Sequence, residues 1–230
     1  MSARVIAIDG PAYVGKSSIS KALAELTGFT FINTGHMYRA VAKNCLDRGV
    51  STEDESSVVA IAQEIRIDFK RAGADTLTWV DGEDMTHALN APEIVLYASR
   101  IAKMPVLREI LTSLQRGYAQ RQTIIMEGRD IGSQVFPDAE WKFFITASLE
   151  VRARRMLKMM DPETRKKYSD ARQLIPKIRE LDKNDTEREI APLRQAEDAI
   201  VYDNSDSPTA AQDAEVLNGH MKRKKMKANI

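Results

Sequence analysis

The chain has 230 residues, 43% of them hydrophobic and 29% charged, which suits one compact α/β domain with smaller inserted pieces. The formal net charge is +1, so no global field favours a nucleic acid or a membrane surface. The single cysteine, Cys45, excludes an internal disulfide, and no apolar run approaches the roughly 18 residues that span a bilayer. We therefore expect a monomeric cytoplasmic protein without a secretory signal.

The first third of the chain predicts strands that alternate with helices. Residues 4–8 form a short apolar run that stops at an Asp-Gly pair, as a buried parallel strand does. Apolar residues then recur at helical spacing from Lys16 to Gly28. A second strand is expected at 29–33 and a second helix at 36–48.

The middle third predicts a different arrangement. An acidic link at 51–57 precedes two strand-like segments, at 65–70 and 76–80, that a polar turn separates. This pattern indicates a small antiparallel sheet inserted between helices. Two further helices are expected at 91–103 and 106–120.

The α/β pattern resumes in the last third, with strands expected at 123–127, 142–146 and 200–203. An arginine-rich helix follows the second of these strands, and charged helical sequence continues to about Leu181. Residues 181–193 are interpreted as a loop. The basic cluster at 222–227 is interpreted as a solvated tail, and because it lacks aromatic residues it gives little support for nucleic-acid binding.

The strongest single motif is GPAYVGKS, which fits G-x-x-x-x-G-K-[ST] between a predicted strand and a predicted helix. Glycines let backbone N–H groups approach phosphate oxygens, and the helix N-terminus adds partial positive charge. Lys16 supplies a point charge for the β- and γ-phosphates, and Ser17 a hydroxyl for Mg²⁺. The predicted ATP-binding residues are Gly10, Pro11, Ala12, Tyr13, Val14, Gly15, Lys16, Ser17 and Ser18. The alternative is a glycine-rich turn without a ligand.

This loop does not name the acceptor, because ATPases, GTPases and small-molecule kinases share it. Three further polar segments follow predicted strands or helices: 33–39, 128–139 and 185–193. Ligands gather at the carboxyl ends of strands in an open parallel sheet, so these segments indicate an acceptor site. Singly, each can also be read as a surface charge or a structural ion pair.

Taken in order, these motifs closely resemble those of bacterial cytidylate (CMP/dCMP) kinases. The blocks are Gly-Pro-Ala-x-x-Gly-Lys-Ser, Thr-Gly-x-Met-Tyr-Arg, Gly-Arg-Asp-Ile-Gly-x-x-Val-Phe-Pro-Asp-Ala and Asp-x-x-Arg-x-x-Ala-Pro-Leu. The resemblance covers about residues 4–205, and the last two blocks are much more specific than the first.

The resemblance implies one P-loop kinase domain over 1–230, with a three-layer α/β fold, a central parallel sheet and helices on both faces. A small antiparallel sheet belongs to an inserted monophosphate-binding subdomain. The expected parts are a core at about 1–33, 121–150 and 173–222, the insert at 34–120, a short lid at 152–172 and a basic tail at 223–230.

The resemblance also implies transfer of the γ-phosphoryl group of Mg²⁺-bound ATP to CMP or dCMP. The positions that match the CMP site of the family are Thr34, Arg39, Ser99, Arg108, Arg129, Asp130, Asp185 and Arg188. Cytosine needs a carboxylate facing its N4 amino group and donors facing N3 and O2. The expected base-reading set is Asp130 with Arg108, Arg188 and Ser99.

The remaining acceptor residues suit the phosphate and the ribose. Arg39 and Arg129 are expected to hold the α-phosphate, where a bidentate fork favours Arg over Lys, and Asp185 is expected to bind a ribose hydroxyl. The expected catalytic residues are Lys16, Arg129, Asp130, Arg152 and Arg155.

Four positions depart from the family pattern. Tyr13 stands where glycine is usual, and if its φ is positive the strain is about 1–2 kcal/mol. We expect its side chain to point outward, over the adenine or the lid, and ATP binding to be retained but weakened. Asn33 replaces an Asp, His36 replaces a small residue and is expected to pack, and Leu181 replaces an Arg for which Lys177 is the candidate substitute.

Two alternatives to a CMP kinase remain open at this point. The first is a related kinase that acts on UMP, AMP or a non-nucleotide acceptor. The second is a nucleotide-binding regulator with weakened catalysis, which the changes at Tyr13 and Leu181 would permit.

Overall fold

A computed structural model describes residues 4–73, 75–206 and 209–228. The strands within these ranges are β1 (Val5–Asp9), β2 (Thr30–Asn33), β3 (Ile67–Ala72), β4 (Asp75–Val80), β5 (Glu83–Asp84), β6 (Ile124–Glu127), β7 (Trp141–Thr146) and β8 (Ile200–Asp203). The α-helices are α1 (Lys16–Thr27), α2 (Thr34–Asp47), α3 (Glu55–Glu64), α4 (Pro92–Ile101), α5 (Pro105–Ala119), α6 (Leu149–Met159), α7 (Pro162–Arg165), α8 (Ile175–Glu187) and α9 (Ala210–Ala228).

The main sheet has five parallel strands in the order β2-β6-β1-β7-β8. Strands β1 and β6 are fully buried and β7 is mostly buried because helices cover both faces, whereas the edge strand β8 is partly exposed. One face packs against α1 and α9, through residues such as Ile19 and Leu217, and the other against α2, α4 and α5. The predicted three-layer α/β fold is confirmed. Strands β1, β2 and β6 end side by side, at Asp9, Asn33 and Glu127.

A separate three-stranded antiparallel sheet, β3-β4-β5, lies between the helices of the middle third. Its register pairs Ile67 with Val80, and both side chains are buried. The predicted insertion of a small antiparallel sheet is therefore confirmed.

Helix α3 begins inside the stretch that was interpreted as an acidic link, residues 51–57, and runs beyond it to Glu64. The Asp54 carboxylate caps it by accepting a hydrogen bond from the Ser57 N–H group at 3.1 Å. Val58 and Ile61 then bury one face of the helix. The acidic, serine-rich segment is thus a helix start as well as a connection.

The interpretation of 181–193 as a loop was wrong in its first half, because α8 continues to Glu187. The sequence there has no apolar stripe, and only Ile178 of this helix is buried. Ion pairs to neighbouring elements, formed by Asp182 and Asp185, hold the last turns of the helix instead. These two carboxylates therefore lie on one helical face.

Helix α9 extends to Ala228 and includes the basic cluster that was interpreted as a tail. Ala214, Leu217 and Met221 anchor it against the main sheet. The side chains beyond Arg223, and residues 229 and 230, lie outside the described part of the chain. None of the described helices is both long and apolar enough to cross a membrane.

Candidate functional site

The glycine-rich loop connects β1 to α1 and passes close to β7. Gly10 has φ 145°, and a Cβ atom there would lie 2.2 Å from the carbonyl oxygen of Ile145, so only glycine fits. Gly15, at φ 97°, precedes α1 and offers no side chain to cap it. The N–H groups of the first helical turn are therefore available to an anion.

Lys16 lies within this loop with its side chain buried. Its ammonium group donates a hydrogen bond to the carbonyl oxygen of Pro11 at 2.7 Å. Burial lowers the pKa of Lys16 to about 7, and the positive charge of Arg129 acts in the same direction, while Glu127 opposes the shift. The positive charge of Lys16 is therefore poorly balanced by groups of the protein itself. A polyphosphate is the kind of ligand that would favour the charged form.

Tyr13 has a positive φ of 62°, in the left-handed region. This is the conformation in which a residue other than glycine is strained. Its ring packs against a small apolar cluster of α6, α8 and the segment before α8, formed by Ala153, Met156, Leu174 and Ile178. Burial raises the pKa of the Tyr13 phenol. The side chain thus lies over the region expected to form the lid.

The carbonyl groups on either side of Tyr13 are held by helix α6. Arg152 Nε donates to the Ala12 oxygen at 2.8 Å, and Arg155 Nη1 donates to the Val14 oxygen at 2.8 Å. Arg155 also binds Asn204, which is buried at the end of β8. Both arginines, expected to be catalytic, contact the backbone of the phosphate-binding loop.

Glu127, the last residue of β6, meets the loop from the neighbouring strand. Its Oε1 atom accepts a hydrogen bond from the Ser17 hydroxyl at 2.7 Å, while Oε2 is buried without a hydrogen-bond partner among the described residues. Burial raises the pKa of Glu127. Glu127 was not predicted from the sequence, although an acidic residue that ends an apolar strand beside Gly128 was a usable signal.

Asp9, the last residue of β1, was also missed. Its carboxylate accepts hydrogen bonds from the N–H groups of Ile131 at 2.9 Å and Gly132 at 2.7 Å. Burial raises the pKa of Asp9 to about 6, although both backbone donors oppose the shift. Asp9 therefore fixes the turn that carries Arg129 and Asp130 beside the glycine-rich loop.

The expected base-reading residues lie together in the structure, except for one. Asp130 pairs with Arg108 Nη2 at 2.5 Å and with Arg188 Nη2 at 3.6 Å, and the three side chains are 5–10% exposed. The ring of Tyr38 lies below the Arg108 guanidinium, with 5.6 Å between them. Ser99 is exposed, and its hydroxyl donates to the Leu96 oxygen of its own helix.

Arg39 and Arg129 lie at the inner end of this pocket, near Glu127. Arg129 Nε donates to Asp185 Oδ2 at 2.7 Å, and Asp185 Oδ1 lies 4.0 Å from Arg188 Nη1. Arg39 Nε is buried without a hydrogen-bond partner among the described residues, and burial lowers the pKa of Arg39 to about 10. Unpaired donors of this kind suit an anion.

The other singled-out residues have mainly structural contacts. Thr34 donates to the Glu127 backbone oxygen at 2.8 Å at the start of α2. His36 Nδ1 lies 2.6 Å from Thr78 Oγ1 of β4, and burial lowers its pKa to about 3, so the ring packs as expected. Leu181 is half-buried in α8, and Lys177 is exposed.

A glycine-rich phosphate loop at the carboxyl edge of a parallel sheet, facing a pocket of buried arginines, defines a P-loop phosphotransferase. The family model described as cytidylate kinase matches residues 6–222. The chain therefore belongs to the cytidylate kinase family.

Individual relatives agree with this assignment. A cytidylate kinase of Caldicellulosiruptor bescii is 44% identical over 87% of this chain and 88% of its own length. One of Caldicellulosiruptor saccharolyticus is 41% identical over the same shares. Among solved structures, a gluconokinase from Sinorhizobium meliloti 1021 is 12% identical over 100% of this chain and 98% of that one, with a TM-score of 0.47. That structural similarity is too low to bear on function.

Proposed function

We propose that this protein transfers the γ-phosphoryl group of ATP to CMP or dCMP, giving ADP and CDP or dCDP. The observation that carries the proposal is the buried carboxylate of Asp130 between the guanidinium groups of Arg108 and Arg188. A protein that only bound ATP would have no need of this second, charge-paired pocket beside the phosphate-binding loop.

The pocket suits cytosine better than uracil. A carboxylate oxygen of Asp130 accepts a hydrogen bond from the N4 amino group, while the arginines donate to N3 and O2. Uracil presents an oxygen at position 4, which leaves the buried carboxylate facing another acceptor. An unpaired polar group of this kind costs about 1–3 kcal/mol. Ser99 belongs to this set on the family resemblance alone.

The acceptor phosphate and ribose belong next to this base pocket. Arg39 and Arg129 present guanidinium groups for bidentate contact with the α-phosphate, and the unpartnered Nε of Arg39 supports this role. Asp185 uses Oδ2 for Arg129, and its remaining acceptor capacity is available for a ribose hydroxyl. Thr34 lies at the helix start beside them.

Mg²⁺ fits the oxygen atoms between the loop and β6. The Ser17 hydroxyl and the Glu127 carboxylate are adjacent, and Glu127 Oε2 has no hydrogen-bond partner among the described residues. Mg²⁺ in nucleotide enzymes is commonly held by one or two protein oxygens together with substrate phosphates. When bound with ATP, the ion neutralises part of the phosphate charge.

The chain's own residues then align two polyanions and reduce their repulsion. The acceptor phosphate oxygen is already anionic at neutral pH, so the reaction needs no strong general base. Lys16 leaves the Pro11 carbonyl for the β- and γ-phosphates, and Arg129 lies between donor and acceptor. Arg152 and Arg155 act by fixing the loop backbone that they contact.

An acceptor panel tests the proposal. ADP release from ATP is measured with CMP, dCMP, UMP or AMP, and without an acceptor. We expect CMP and dCMP to exceed UMP by roughly 10–200-fold in kcat/KM, and no release without an acceptor. Equal rates with UMP or AMP would assign a different acceptor. A complete lack of acceptor-dependent release would indicate a nucleotide-binding regulator.

A further inference from the structure

We propose that Asp182 is a positioning residue for phosphoryl transfer. It aims the guanidinium of Arg152 at the phosphate-binding loop, and it ties that loop to the helix that carries the acceptor residues. The inference rests on the proposed function only in taking ATP as the donor.

The first support is the geometry of Arg152. Its Nη1 and Nη2 atoms donate to the two oxygens of Asp182 at 2.7 and 2.6 Å, and its Nε donates to the Ala12 oxygen at 2.8 Å. The Arg152 side chain is only 5% exposed. Because each nitrogen already has a partner, this guanidinium acts on the loop backbone, and Asp182 fixes the plane in which it does so.

The second support is the position of Asp182 on α8. Asp185 lies one turn further along the same face and accepts a hydrogen bond from Arg129 at 2.7 Å. Arg188, at the end of the helix, lies 3.6 Å from Asp130. The helix is therefore linked to the donor loop indirectly, through Asp182 and Arg152, and together with Arg188, which follows it, to the acceptor pocket through Asp185.

The third support is that the contact falls at a sensitive part of the loop. Ala12, Tyr13 and Val14 are consecutive, and α6 or its neighbours hold each of them. Tyr13 already carries a positive φ. Backbone N–H groups bind phosphate well only when they are held close to the productive geometry. An isolated surface ion pair would have no such consequence.

The test is the affinity for ATP of the full chain carrying Asp182→Asn, measured by calorimetric titration without an acceptor. The amide keeps the shape of the side chain but offers a single acceptor oxygen and no charge. We expect the Kd for ATP to rise by about 10–100-fold, because small displacements of positioning groups have effects of this size. The stoichiometry reports the folded fraction separately, so partial unfolding does not imitate a change in Kd.

Asp170→Asn is the matched control. Asp170 also accepts two hydrogen bonds from one arginine, Arg172, at 2.9 and 2.6 Å, but the two side chains are 42% and 74% exposed. This variant is expected to bind ATP as the wild type does.

A second variant shows whether Asp182 acts through Arg152. In an Arg152→Lys background, Asp182→Asn is expected to add less than about twofold to the Kd, since coupled residues are not additive. An unchanged Kd for ATP in Asp182→Asn, or an equal loss in both backgrounds, overturns the inference. Because no acceptor is present, failure of the proposed CMP specificity would leave this result unaffected.

Discussion

The phosphate-binding loop and the acceptor pocket are built in opposite ways. The loop is one contiguous stretch, residues 10–18, that works mainly through its backbone and one buried lysine. The acceptor pocket is assembled from side chains of α2, α5, the turn after β6, and α8 with the residue that follows it. A donor site of this kind can therefore be identified from local sequence, whereas the acceptor site depends on tertiary structure.

The two regions also differ in how their charges are balanced. Asp130 and Asp185 pair with three of the four acceptor-side arginines, and these pairs keep the pocket ordered. Lys16 has only a backbone oxygen and nearby carboxylates, and its pKa is lowered. Substitutions in the loop should therefore change the constants for ATP, and substitutions in the acceptor pocket those for CMP.

The largest expected effect is at Lys16. Lys16→Met removes the charge that the loop offers to the β- and γ-phosphates, and we expect kcat/KM for ATP to fall on the order of 10²–10³-fold. The Kd for CMP, measured by titration without ATP, should stay within about threefold, because the acceptor pocket keeps its own ion pairs. A comparable loss of CMP affinity would contradict the separation of the two regions.

The same lysine predicts a pH dependence. With a pKa of about 7 in the free protein, Lys16 loses its proton as the pH rises through neutrality, so the Kd for ATP should increase between pH 6 and 8.5. Glu127, Asp185 and Asp9 favour its charged form, and Arg129 opposes it. Lys16→Arg, which stays protonated, is the control for titration of ATP itself. Parallel profiles for the two proteins would exclude Lys16 as the titrating group.

The smallest expected effect is at Tyr13. Tyr13→Gly relieves a strain of about 1–2 kcal/mol but loses the ring's packing, so the free energy of unfolding should change by less than about 1 kcal/mol. Tyr13→Ala loses the ring and keeps most of the strain, and it should be less stable than Tyr13→Gly by about 1 kcal/mol.

Chemical denaturation of the two Tyr13 variants measures this difference. Equal stabilities would remove the argument from strain. ATP titration completes the test, because a wild type that binds more tightly than Tyr13→Gly would contradict the expectation that Tyr13 weakens the loop.

The main sheet was predictable because its strands are short apolar runs between turn residues. Helix α3 was not foreseen, because its Asp54 cap lies in a segment that resembles a polar linker. The second half of α8 was assigned wrongly, because ion pairs to distant residues stabilise it in place of an apolar stripe. Long-range contacts of this kind leave no local periodicity in the sequence.

The site shows the same division. The loop was identified from its own residues. The acceptor segments were located from their positions after predicted strands or helices, but the roles of their residues came only from the family resemblance. Asp9 and Glu127 escaped notice because their roles depend on β1 and β6 lying side by side. Asp182 was missed because its partner, Arg152, lies on another helix.

Base recognition by Asp130 is tested by the ratio of kcat/KM for CMP to kcat/KM for UMP, compared between wild type and Asp130→Asn. A ratio within one protein does not depend on how much of the variant is folded. Because an amide can turn its NH₂ group towards the uracil oxygen, we expect the ratio to be at least about tenfold lower in the variant. An unchanged ratio would show that base recognition does not depend on this carboxylate.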